Sequence, residues 1–151
     1  MSSVDTTAIV NRLLVLHHRS LPMYLSYAVP WTAPGCEAAA RTLELIILAQ
    51  KQMVDRLGEM LLEQGGTVEF GRFPFAFTAL HDLSLQYLWG RLIEHQERTV
   101  TEIEAAVDAL RLAPLAQALA QEALGEAKGH LDSLREVAEE MAGRGKVAIG
   151  S

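Results

Sequence analysis

Four polar residues interrupt runs that are otherwise apolar at helical spacing: His17, Gln50, Gln96 and His130. Each falls near the middle of a stretch in which apolar side chains recur every three or four positions, so each belongs to a face that packs inward. Burying such a group without a partner costs about 1 to 3 kcal/mol, and four separate lapses are a poorer account than one shared level at which the four meet. Two chemistries fit the set. One is a hydrogen-bonded polar layer that fixes a single packing register. The other is a single-metal site with His17 and His130 as nitrogen ligands, helped by Glu94 or Glu126, suited to zinc, copper or iron.

The other reactive residues carry less. His18 and His95 flank members of the set and are expected on the surface, with His81 at a helix start. Histidines spaced His-x-x-x-His, which would mark a helix-borne metal site, do not occur. Cys36 and Ser20 have no base at a fixed offset, and no glycine-rich phosphate loop is present, so the residues argue for no catalytic activity. A lone cysteine excludes an intrachain disulfide framework and a cysteine-based zinc cluster; its expected role is packing at a helix start.

The elements that must position these side chains are helical throughout. Half of the 151 residues are apolar and few are aromatic, which suits helix-on-helix packing in one domain over 1–141, with a glycine-containing loose tail over 142–151. A first helix is predicted from Thr7 to Ala28 on the stripe Val10, Leu13, Leu14, His17, Leu21 and Tyr24, kinked or split by Pro22. The second runs from Glu37 to Glu63 and stops at Gly65-Gly66. Thr67 to Leu80 shows no sustained period and reads as a long connection. The third helix spans Asp82 to Leu110 and the fourth Leu115 to Met141, joined by a turn at Ala113-Pro114. Short link, long crossover, short link predicts an all-α four-helix bundle of two antiparallel hairpins.

In these segments the chain resembles the ferritin-like superfamily and, within it, bacterioferritin. Val10-Asn11-Arg12-Leu13-Leu14 followed by Tyr24 resembles the family's opening. Gln50-Lys51-Gln52-Met53-Val54-Asp55-Arg56-Leu57, closed by Leu62-Glu63-Gln64-Gly65-Gly66, resembles its second-helix signature, and Ala127-Lys128-Gly129-His130-Leu131-Asp132-Ser133-Leu134 its last motif. The resemblance implies a di-iron centre built from one Glu on each of two helices and a Glu-x-x-His pair on each of the other two. On that pattern His17, Gln50 and Ala127 stand in Glu positions, Met53 stands in a His position, and His130 is kept. On the third helix, matching Ile103, Ala106 and Val107 puts Gln96 in the Glu position, while counting back from His130 puts Glu94 there. The family's haem-ligating Met falls at Lys51 or Gln52, so no haem is expected.

Two ferrous ions within about 4 Å need bridging carboxylates, and at most one survives, so the expected protein has a degenerate di-iron site without ferroxidase activity. Family likeness also implies a homo-oligomer, a dimer first of all. Trp31, Phe70, Phe73, Phe75 and Trp89 either cover the ends and side of the bundle or form that interface. A formal charge of -6 with no basic run argues against nucleic-acid binding. Met1–Thr7 lacks the basic start and apolar run of a signal peptide and no apolar stretch is long enough to span a bilayer, so a cytoplasmic protein off the membrane is expected.

Overall fold

The helical spacing becomes five α-helices and one short 3-10 helix in the computed structural model, which describes residues 2–150, with the side chains of Ser3 and of 144–150 outside the described set. Among the described residues there is no strand; Trp31 and Ser84 form an isolated bridge. Where one kinked helix is predicted, two stand: α1, Ser3–His18, and α2, Leu21–Tyr27. The break falls at Arg19-Ser20, ahead of Pro22, because Ser20 caps α2 by accepting from the Met23 amide. That puts Pro22 in the first turn, where its missing N–H leaves no helical bond unmade.

α3, Glu37–Glu63, has the predicted bounds. Gly65, at φ +76°, lets the Gly65 and Gly66 amides turn back onto the carbonyls of Leu62 and Leu61, which terminates the helix. The connection that follows holds the 3-10 helix Phe75–Leu80, for which no period gave a signal. α4, Leu85–Ala109, begins later than Asp82, since Asp82 has a left-handed φ of 64° and Ser84 is the residue that caps.

α5 is Pro114–Gly150 and continues through 142–150, where a tail is expected. Once a helix is nucleated each further residue adds a bond, and isolated glycines, at about 1 kcal/mol each relative to alanine, do not stop it without a left-handed turn. Ser151 lies outside the described residues.

Two apolar clusters make the core. One joins Val10, Leu13 and Leu14 of α1 to Met53 and Leu57 of α3, to Val100 and Ile103 of α4, and to Ala120 and Ala123 of α5. The other joins Leu21 and Leu25 of α2 to Leu43 and Ile46 of α3, to Leu88 and Leu92 of α4, and to Leu134 and Val137 of α5. Trp89, counted among candidate surface aromatics, is buried in the second cluster and donates its indole N–H to the Leu134 carbonyl at 2.8 Å, tying α4 to α5. Trp31, Phe70 and Phe75 are exposed. Phe73 is half-buried and packs with Phe77 around the ring of Tyr24, whose hydroxyl bonds the His81 ring. No described helix is long and apolar enough to cross a membrane.

Candidate functional site

The boundary between the two clusters is polar. On α3, Gln50 lies between Ile46 of one cluster and Met53 of the other; on α4, Gln96 lies between Leu92 and Val100; on α5, His130 lies between Leu134 and Ala127. At the α1–α2 break, His17 and Ser20 fall between Leu14 and Leu21. Gln50, Gln96 and the His17–Ser20 break therefore fall where one cluster gives way to the other, with His130 near enough to His17 to act on it through charge. Gln50 is 3% exposed, Gln96 1% and His17 5%, while His130 is half-buried.

Each buried group in this layer finds a neutral partner. The Ser20 hydroxyl donates to Gln50 Oε1 at 2.6 Å while accepting from the Met23 amide, so the residue that starts α2 also anchors α3. Gln96 donates through Nε2 to the Ala127 carbonyl at 3.0 Å, linking α4 to α5. His17 Nδ1 lies 2.7 Å from the Leu13 carbonyl. A carbonyl only accepts, so the ring proton is on Nδ1 and the lone pair on Nε2. Burial holds His17 below the ordinary imidazole range; the Leu13 carbonyl opposes this and His130, near enough to act through its charge, adds to it. His130 is lowered by burial as well. Both rings are neutral at pH 7. One atom has no such partner: Gln96 Oε1 is buried and meets no protein donor.

The carboxylates lie elsewhere. Glu94 is exposed and pairs with Arg91 one turn away, so Gln96 is the α4 residue of the central layer. Glu126 is exposed on the seam with α3, where partial burial raises its pKa against the lowering effect of Arg56. Met53 and Ala127 are buried among apolar neighbours. Among the described residues no group of three or more His, Cys, Asp or Glu side chains converges as metal ligands would.

No protein-family model and no curated protein matches the chain.

The donor set does not fit the pair of ferrous ions that the resemblance implies. Gln50 Oε1 already accepts from a hydroxyl, the remaining oxygens and nitrogens of the layer are neutral, and among the described residues no cluster of carboxylates and histidines is placed to bridge two cations or offset their charge. Nucleophilic chemistry fares no better at Ser20, whose hydroxyl proton goes to an amide oxygen, a weak base; Cys36 is buried at the start of α3.

Two residues have roles that sequence reasoning missed. Ser20 precedes a proline at the second position of a helix, a capping signal that could have been read. His95, expected on the surface, is instead half-buried: its Nε2 accepts from the Leu21 amide at 3.2 Å and its ring packs edge-on against Phe77. Burial, with the charge of Arg98, pushes its pKa down to about 4. No local pattern announces this bond, which joins segments far apart in sequence. His18, also expected at the surface, is half-buried against Phe70.

Proposed function

We propose that the chain is a ferritin-like, bacterioferritin-related four-helix bundle with a degenerate di-iron site, in which a neutral polar layer fixes helix register and no ferroxidase chemistry is retained. The layout is supported by cluster membership: α1 and the early part of α5 share one cluster with the late part of α3 and of α4, while α2 and the late part of α5 share the other with the early part of α3 and of α4. That arrangement corresponds to α1 antiparallel to α3, α4 parallel to α3, and α5 antiparallel to α4, the sense of a single-crossover bundle. The observation that carries the functional reading is the Ser20–Gln50 hydrogen bond, which spends a former ligand position on helix docking.

A second reading keeps one borderline cation, zinc, copper or iron, on His17 and His130. It is favoured by the free Nε2 of His17 and the unpartnered Oε1 of Gln96 in the same layer. Metal analysis of protein purified without an affinity tag separates the two, repeated on His17→Ala and His130→Ala. Metal-free protein whose melting temperature is unchanged by a chelator supports the polar layer; stoichiometric metal lost in either variant supports the single ion. A carboxylate-bridged iron pair would overturn both.

The scaffold works, in this proposal, as a homodimer in the cytoplasm. Leu45 and Leu48 of α3 are 67% and 54% exposed, and Arg41 and Asp55 of the same outward stripe enter no ion pair among the described residues. Arg41 and Asp55 are equidistant from Leu48 in sequence. Two copies of α3 crossing antiparallel at Leu48 would therefore set each Arg41 opposite the other copy's Asp55. Sedimentation of Leu48→Asp should show a monomer where the wild type is a dimer; a monomeric wild type sinks the assembly.

A further inference from the structure

The chain has net charge -6, yet four arginines gather in one cleft beside the central layer. A cleft of about 390 Å³ is lined by Arg12, Arg19, Arg72 and Arg98, with Glu102 as its one acidic wall residue. Its construction follows from helix geometry. Val15 and Leu16 of α1 and Arg19, the residue that ends it, lie three, four and seven positions after Arg12, and on α4 the same spacing relates His95, Arg98, Thr99 and Glu102. Residues so spaced share one helix face, so two facing helix surfaces form the walls. The connection between α3 and α4 closes the third side with Arg72, Pro74 and Phe77.

The guanidinium charges are not neutralised by carboxylates within the fold. Among the described residues none of the four arginines is in an ion pair. Arg19 is held rigidly: its Nε donates to the carbonyls of Phe70 and Gly71 at 3.2 and 3.1 Å, and its guanidinium carbon lies 4.7 Å from the centre of the Phe73 ring. That arrangement leaves both terminal nitrogens without a protein acceptor and fixes the plane of the fork, the geometry that recognises carboxylate or phosphate oxygens in pairs. A stack on the ring and two backbone bonds are more than a solvated surface arginine needs. Four like charges gathered around a single carboxylate, Glu102, repel one another, a cost that a bound anion would reduce.

We propose that this cleft binds a small organic oxyanion of at least two negative charges, held by Arg12, Arg19, Arg72 and Arg98 with its apolar part against Phe77. The volume is that of a small-molecule site. Confinement of the positive charge to a cleft of that size favours a small molecule over a nucleic-acid backbone, which needs an extended basic track. Phosphate esters and polycarboxylates share the required chemistry.

Calorimetric titration of the full chain at low ionic strength, with pyrophosphate and citrate as separate probes, tests the proposal. At least one anion should saturate at one per chain with a Kd below about 1 mM. Arg12→Gln and Arg98→Gln, on different helices and both exposed, should each weaken it about tenfold while melting at the wild-type temperature. Arg111→Gln removes the same charge at the turn between α4 and α5 and should leave the affinity within about twofold. Tighter pyrophosphate binding identifies the source as a phosphorylated compound, tighter citrate binding as a polycarboxylate, and either supports the site. Failure of both anions to saturate by about 10 mM overturns it. So does an Arg111→Gln loss as large as that of Arg98→Gln, because the attraction would then belong to the whole chain.

Discussion

The central layer and the arginine cleft both involve α1 and α4, yet they treat polar groups in opposite ways. In the layer Gln50, Gln96 and His17 are buried, uncharged and bonded to partners on other helices or on their own backbone. In the cleft four arginines carry charge, none of them is in an ion pair among the described residues, and three are exposed. Groups whose bonds close within the fold contribute to holding it together. Groups left with open donors contribute to what the fold can hold. The same helix shows both: Gln96 reaches inward to Ala127, while Arg98, two residues on, lines the cleft.

The sharpest way to break this contrast is to put a charge in the layer. Gln96→Glu loses the amide donor to Ala127 and buries an ionisable group, and urea unfolding at pH 8 should show a loss of about 3 to 5 kcal/mol. Because burial raises the folded pKa of that carboxyl, the loss should shrink as pH falls towards 4. A layer that accepts the carboxylate without loss would mean that it is open to water or to a counter-ion.

Acid should come next. His17, His95 and His130 are all less basic in the fold than the ordinary value of 6.5. Below that value the unfolded chain takes up protons that the native state refuses, so stability is full above pH 6.5 and falls as pH drops. For His95 the window extends down to about pH 4 and is worth about 3 kcal/mol. His95→Gln, which keeps an acceptor for the Leu21 amide, should lose less stability between pH 7.5 and 4.5 than the wild type; equal losses would show that His95 is not the group responsible.

Smaller effects sharpen the comparison. Ser20→Ala removes a helix cap and the donor to Gln50 together and should cost about 2 kcal/mol by thermal melting. At the far end of the scale, Arg98→Gln in the cleft should change stability by no more than about 0.5 kcal/mol. A cleft arginine whose loss unfolds the chain would place that residue with the layer rather than with a ligand.

Much of the layer was legible because helical period is a local property: Gln50 and Gln96 fall on stripes that Ile46, Met53, Leu92 and Val100 already define. The helix end at Gly65 follows from a residue type with a known backbone preference, whereas the break expected at Pro22 falls at Ser20. What sequence spacing withheld depends on long-range contacts. Counting back from His130 points to Glu94 where the stripe favours Gln96, and only the rotation of α4 about its axis, which turns Gln96 in and Glu94 out, decides between them. Arg72 joins Arg12 and Arg98 only because the connection folds over α1 and α4, and no period links those three. The 3-10 helix Phe75–Leu80 and the bond from Leu21 to His95 were hidden for the same reason.

The start of α2 has a consequence for how the molecule opens. Seven residues are too few for a helix to persist unaided in water, and its first amides are held by Ser20 and by His95. The Leu21 amide therefore stays protected only while α4 is docked, so deuterium should enter there at the rate of whole-molecule opening rather than of end fraying. During refolding the same amide should gain protection late, after the longer helices have come together, since its acceptor is brought from a distant part of the chain.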